Sequence, residues 1–175
     1  MFKKIILLIM LLAVAAFVSG CIDDKTGNNT GNNTVNKTDT IKYEQMPTVN
    51  LPSGITFIGV TETYVQIGNS SRKAIEGIYK TDIDDLDVNI DVFNTETPQV
   101  LIDEYKSQYK NASYNPFTEI SFNDHKATQV IRYRTKNGTQ IPIYSVIWTT
   151  KDSMIKVGPS TDAKKVINLA TATNS

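Results

Sequence analysis

The chain contains a single cysteine, Cys21, which comes shortly after an apolar leader. Lys3 and Lys4 precede an unbroken apolar run at residues 5–18. This run is shorter than the ~20 residues that span a bilayer and has the length of the apolar region of a signal peptide. Because a single cysteine allows no internal disulfide, the folded part of the chain must be stabilised by a packed core.

The residues just before Cys21 have small side chains, Ser19 and Gly20, after Val18. This ending resembles the lipobox of prokaryotic lipoproteins, and the resemblance implies cleavage before Cys21 and lipidation of its thiol. Each buried CH₂ of a lipid contributes ~0.8 kcal/mol, so two acyl chains would hold the protein firmly. We predict a signal peptide at 1–20 and a lipid-anchored protein of the cell membrane, facing the extracellular or periplasmic side. An ordinary secreted protein and an uncleaved leader are the alternatives.

Residues 21–45 differ in composition from the segments on either side. They repeat Gly-Asn-Asn-Thr twice and contain few apolar side chains, so little compensates the entropy cost of ordering them. We predict a flexible stalk with a span of roughly 25–30 Å. This stalk is either glycosylated or a merely polar spacer without glycans. Candidate N-glycosylation sequons occur at Asn28, Asn32, Asn36, Asn69, Asn111 and Asn137.

The charge balance argues against nucleic acid as a partner. The chain has 18 basic and 18 acidic residues, and removal of the leader with its two lysines leaves a net charge of about −2. A nucleic-acid-binding protein would need a basic patch or tail, which the sequence does not show. The remaining residues, 46–175, are enough for a single domain with its own core.

β-branched and aromatic segments predict strands on both sides of a central helix. The dipeptide Asn137-Gly138 predicts a two-residue hairpin turn, so the strands on either side of it should be antiparallel. The predicted strands are 55–60, 63–67, 73–79, 84–92, 119–122, 126–135, 140–150 and 154–157.

Two helices are predicted from their starting residues and apolar stripes. The first begins at Thr97-Pro98, where threonine caps and proline fits the first helical position. Tyr105 and Tyr109 lie on its apolar stripe, and we expect them to pack rather than to form a ligand platform. The second helix is expected to be capped by Ser160-Thr161.

The strand predicted at Asp84–Val92 has one apolar and one acidic face. The Asp-x-Asp-x-Asn spacing also opens a calcium loop, but Ile90 stands where that loop needs glycine. We therefore expect a solvated acidic face and no metal site. We also hypothesise that this face lies on the same side of the sheet as a basic strand face. A stronger form of this hypothesis places the two faces on neighbouring strands. The acidic face comprises Asp85, Asp87, Asn89 and Asp91, and the basic face Lys126, Thr128, Arg132 and Arg134.

Few residues are suited to catalysis. His125 is the only histidine, and we expect it to be solvated in a turn at Asn123-Asp124-His125. No zinc-ligand set or glycine-rich phosphate loop occurs, so we predict no catalytic residue, metal or cofactor. A pair of carboxylates is the one route to hydrolysis that remains. Trp148 is expected in the core, and stacking on a ligand is the alternative.

The order of strands, helix, strands and helix predicts an α+β fold, an antiparallel β-sheet with two packed helices. The patterns at 51–54, 123–127 and 148–149 resemble small uncharacterised lipoproteins of prokaryotes, archaea among them, and more loosely PsbP-like domains. The resemblance implies this architecture and no particular activity.

The predicted function is that of a membrane-anchored surface lipoprotein whose exported domain binds an unknown protein or envelope partner, not an enzyme. A carrier for a small or lipid-like ligand and a carboxylate-dependent hydrolase are the alternatives. An exposed apolar patch would favour partner binding, whereas a large cavity would favour the carrier. A cleft with two facing carboxylates would favour the hydrolase.

Overall fold

The computed structural model describes residues 45–82 and 86–173. Within these ranges the chain forms seven antiparallel strands and two helices, which confirms the predicted α+β class. The predicted signal peptide, and the predicted stalk except for Gln45, lie outside the described residues. The elements are β1 (Ile55–Ile67), β2 (Ser70–Thr81), β3 (Val88–Asn94), α1 (Pro98–Ser107), β4 (Phe117–Phe122), β5 (His125–Lys136), β6 (Thr139–Thr149), β7 (Ser153–Ser160) and α2 (Ala163–Thr171).

The strands form one sheet in the order β1-β2-β3-β7-β6-β5-β4. Neighbouring strands are consecutive in the chain except at β3 and β7, so β1 and β4 form the two edges. The hairpin predicted at Asn137-Gly138 is confirmed, with positive φ at both residues, as such a turn requires. The turn between β4 and β5 is shorter than predicted, because His125 is already paired with Phe122 in the ladder.

The two helices cover opposite faces of the sheet. Residues directly opposite each other on paired strands share a face, so the ladders assign every strand residue to one side. On the α2 face, Val166 and Leu169 pack with Trp148 and Ile155 in one apolar cluster. On the other face, α1 contributes to a second cluster. That cluster includes Leu101, Ile102, Tyr105, Phe93, Ile147 and Met154.

The helix starts differ in detail from the prediction. Thr97 is the N-cap of α1, followed by Pro98 as predicted, but its side chain makes no capping hydrogen bond. The N-cap of α2 is Asp162, not Ser160-Thr161, and its carboxylate accepts a hydrogen bond from the Lys164 backbone N–H at 2.8 Å. Ser160 instead ends β7, where its hydroxyl accepts from the Asp162 N–H at 3.1 Å.

Candidate functional site

A charged cluster lies on the α1 face of the sheet, across three adjacent strands. Glu76 on β2 is directly opposite Asp91 on β3, and Asp91 is directly opposite Lys156 on β7. Asn89 lies two residues before Asp91, so its side chain is on the same face. We call Glu76, Asn89, Asp91 and Lys156 the charged cluster.

Two direct contacts link the members of the charged cluster. Lys156 Nζ donates a hydrogen bond to Asp91 Oδ2, and this ion pair is largely buried, with 2% of the Asp91 side chain and 15% of the Lys156 side chain exposed. Asn89 Nδ2 donates to Glu76 Oε1 at 2.7 Å. The prediction of a solvated acidic face is therefore wrong at Asp91. The alternation of polar and apolar residues along β3 predicted correctly that Asp91 lies on the face opposite to the apolar residues. It could not show that α1 packs on that face.

The local electrostatics of the cluster are unusual at Glu76. Burial raises the pKa of the Glu76 carboxyl, and the nearby Asp91 charge raises it further, against smaller opposing effects of Lys156 and Asn89. Two acceptor atoms, Asp91 Oδ1 and Asn89 Oδ1, are buried and have no hydrogen-bond partner among residues 45–82 and 86–173. The cluster thus has unused acceptors beside a carboxyl whose charge is disfavoured.

Tyr105 on α1 and Tyr109, just after the end of α1, are close enough to the cluster to feel its charges. Tyr105 is buried, and its Oη lies 3.3 Å from Tyr109 Oη. Burial raises the pKa of both hydroxyls, with Arg132 acting in the opposite direction. The Tyr109 ring also makes an edge contact with Phe117, at 5.4 Å between centroids. These contacts confirm the packing role predicted for the tyrosine pair.

The second notable surface is the outer edge of β1. Tyr64 and Ile58 are exposed, at 73% and 51%, and β1 has no strand on its outer side among the described residues. A bulge between Phe57 and Gly59 interrupts the pairing with β2. The regular part of this edge therefore runs from Gly59 to the end of β1.

The hypothesis about charged strand faces is confirmed in its weaker form for Asn89 and Asp91, whereas Asp87 precedes β3 and Asp85 lies outside the described residues. Asp91, Lys156, Ile147 and Thr128 are paired in sequence across β3, β7, β6 and β5, so Asp91 and Thr128 lie on the same side of the sheet. The stronger form is wrong, because β7 and β6 separate β3 from β5. Lys156, which the sequence did not single out, is the partner of Asp91.

His125 and Trp148 lie together at the β4–β5 end of the α2 face. Trp148 is 1% exposed, which confirms its predicted place in the core, and the Phe122 ring meets it edge-on at 5.1 Å. His125 is half-buried rather than solvated, with its ring 5.9 Å from Phe122 and 6.4 Å from Trp148. The sequence assigned it to a turn because Asn123-Asp124 is a turn signal, but the turn ends before it.

The remaining predicted site residues divide into two groups. Asn69, Asn111 and Asn137 are exposed between or after secondary-structure elements, where an acceptor asparagine is accessible to modification. Glycosylation of these residues stays a prediction. Cys21, Asn28, Asn32 and Asn36 lie outside the described residues.

Within residues 45–82 and 86–173, no three side chains of His, Cys, Asp or Glu are grouped so that they could hold a metal ion. In the same ranges, no helix has the length and apolar character needed to span a membrane.

Comparison with known proteins gave no relative: no protein-family model, curated protein or solved structure matches this chain.

Proposed function

We propose that this protein is a lipid-anchored surface protein whose domain binds a protein of the membrane or envelope through the outer edge of β1. Lipidation of Cys21 is inferred from the leader and the small residues before it. The observation that supports partner binding is the outer edge of β1, which carries the exposed Tyr64 and is covered by no strand among residues 45–82 and 86–173.

An open edge strand presents unpaired backbone N–H and C=O groups, which form a template for another strand. A partner segment that adds to such an edge gains backbone hydrogen bonds, and its alternate side chains meet those of the edge strand. Here Tyr64 would contact an apolar side chain of the partner. The charge of Glu62 on β1 is already balanced by Lys73, at 2.9 Å. The expected partner segment is therefore extended and apolar at alternate positions.

The structure gives a specific reason to examine the hydrolase alternative. Glu76 and Asp91 face each other on adjacent strands, and the raised pKa of Glu76 would suit a general acid. However, Asp91 is buried and already bonded to Lys156, so it offers no surface from which to attack a substrate or activate water. We therefore assign no catalytic role to the pair.

The carrier alternative has a weaker basis. An open depression on the β4–β5 pair is lined by Glu119, Ile120, Ser121 and Lys126. Binding sites for small and lipid-like ligands are mainly apolar and enclosed, whereas this depression is open and three of its four lining residues are polar. We therefore favour partner binding over a carrier function.

The anchor is tested by intact-mass analysis of the protein extracted from its own membranes. A lipid adduct is expected on a chain that begins at Cys21, and Cys21→Ser should release the protein from the membrane fraction. Recovery of a membrane-bound protein with an unmodified Cys21 thiol would contradict the anchor.

The β1 edge is tested with a photo-crosslinking amino acid at position 64 of the lipidated chain. Position 133 is the matched control, because Tyr133 is also an exposed tyrosine on a strand. One defined product is expected at 64 and not at 133. A peptide that contains the crosslinked segment of the partner should then bind the purified protein, and Tyr64→Ser should weaken that binding. Equal crosslinking at both positions, or a peptide that does not bind, would contradict the proposal.

A further inference from the structure

The two edge strands of the sheet differ in how well they are protected against pairing with another strand. β4 is short, 6 residues, and carries Glu119, whose carboxylate lies 3.6 Å from the ammonium of Lys106. Short length and charged side chains are usual means of keeping an edge strand from pairing. The regular part of β1, Gly59–Ile67, is longer and contains one charged residue, Glu62, and no lysine or proline. The edge of β1 is therefore suited to pairing over its whole regular length.

We propose that the partner of the β1 edge is a second copy of this chain, and that β1 of one copy pairs antiparallel with β1 of the other. This inference rests on the proposed function, because it names the partner of the same edge. The two sheets would then form one continuous sheet about a two-fold axis, the commonest symmetry of protein dimers. Anchoring of both copies in one membrane raises their effective concentration, so a contact of modest area is enough.

The backbone pattern limits how two copies of β1 can pair. Residues directly opposite each other in an antiparallel ladder either exchange both hydrogen bonds or exchange none, and the two kinds alternate along the strand. An odd-numbered residue must therefore lie opposite an odd-numbered residue of the second copy. The register that uses the whole regular edge pairs Gly59 with Ile67 of the second copy. Its two-fold axis passes through Thr63, which lies opposite Thr63 of the second copy.

This register makes the edge complementary to itself in charge and shape. Glu62 lies opposite Tyr64 of the second copy, so the two carboxylates are not directly opposite each other, and each keeps its ion pair with Lys73. The two copies of Tyr64, each 73% exposed, are diagonal neighbours, a separation that aromatic side chains bridge. Ile67, which packs in the cluster of the α1 face, lies opposite Gly59, where an added Cβ would meet no atom within 4 Å. The second copy therefore has room at this end of the strand.

The register is tested with single cysteines in the full-length lipidated chain in its own membranes. Directly opposite Cα atoms are about 4.5–5.5 Å apart, which a disulfide can bridge, so Thr63→Cys should give a disulfide-linked dimer on mild oxidation. Thr61→Cys is the matched control, because its two copies would be four residues apart along the strands, about 14 Å. Thr61→Cys and Val65→Cys should give a linked dimer only when expressed together, because these positions lie opposite each other. The natural chain controls for Cys21.

A charge exchange at the two-fold axis gives a second measurement that needs no disulfide. Thr63→Lys places two ammonium groups directly opposite each other, and Thr63→Glu two carboxylates; like charges in this position destabilise a strand pair. Each variant alone should self-associate about fivefold more weakly than the natural chain, as measured by sedimentation of the lipidated protein in detergent. A mixture of the two variants should recover the dimer. Circular dichroism verifies that each variant is folded.

The outcomes separate this inference from the proposed function. A crosslinked product from position 64 with twice the mass of the chain, together with the disulfide of Thr63→Cys, would support both. A defined product with a different protein would overturn self-pairing and leave the β1 edge as a partner site. Equal disulfide formation at positions 61 and 63, or a mixture of opposite charges that stays monomeric, would also overturn self-pairing. No defined product at position 64 and no dimer would overturn both.

Discussion

Replacement of Lys156 by methionine is expected to be one of the most destabilising changes on the α1 face. Methionine preserves the apolar stem of lysine but removes the ammonium that bonds to Asp91. The Asp91 carboxylate would then lie buried, with Glu76 opposite it and no bonded cation. Breaking a buried pair by removal of one partner costs about 3–5 kcal/mol, because an uncompensated charge stays in the interior.

The structure provides a comparison pair for this magnitude. Lys73 and Glu62 are 2.9 Å apart, but their side chains are 55% and 50% exposed. Lys73→Met should therefore cost less than about 1 kcal/mol, as is usual for surface pairs. For a domain of this size, 3 kcal/mol lowers the Tm by on the order of 10 °C, so the two variants should separate clearly in thermal melts.

The double variant Asp91→Leu with Lys156→Met isolates the cause. Replacement of both members of a buried pair by apolar residues is often close to neutral, so the double variant should recover most of the stability that Lys156→Met loses. Urea unfolding monitored by circular dichroism gives the three free energies of unfolding. If Lys156→Met costs no more than Lys73→Met, or if the double variant is no more stable than the single one, the reasoning from burial is wrong.

Three further predictions concern pH and the core. The folded state raises the pKa of Glu76 above its ordinary 4.5, so ionisation of Glu76 makes folding less favourable as the pH rises above 4.5. Glu76→Gln should therefore gain stability relative to the natural chain between pH 4 and neutral pH, as measured by urea unfolding. Asp82 has the opposite sign: a hydrogen bond from Lys165 lowers its pKa below 3.8, so Asp82→Asn should be less stable at neutral pH and the difference should vanish as the solution is acidified. Leu169→Ala should lower the free energy of unfolding by about 2–5 kcal/mol, because Leu169 lies on α2 with its side chain fully buried in the core. Lys164 is exposed, so Lys164→Ala should change the Tm little.

Local sequence signals predicted the elements of this fold well. The Asn137-Gly138 turn, the helix start at Pro98 and the buried Trp148 each depend on conformational or burial preferences of the residues themselves. These preferences act over a few residues, so they are readable without knowledge of the strand order. The α+β class followed from them.

The charged cluster could not be predicted in the same way. Alternation along β3 shows that Asp91 and Val92 point to opposite sides, but not which sides are covered, and here each face carries a helix. The partner of Asp91 is 65 residues further along the chain, and only the pairing of β3 with β7 brings it close. The edge position of β1, and hence the exposure of Tyr64, likewise follows from strand order rather than from local sequence.

The pairing of β3 with β7 has a consequence for folding kinetics. The strands on either side of it form two meanders, β1-β2-β3 and β4-β5-β6-β7, each assembled from hairpins between consecutive strands. Their junction closes a loop that contains α1 and most of the second meander, and such closure carries an entropy cost that slows folding. The junction should therefore form last, and it also carries the Asp91–Lys156 ion pair. Because the junction can open while both meanders stay assembled, the amides that pair β3 with β7 should exchange with solvent at a lower free energy than amides exposed only by unfolding of the whole domain.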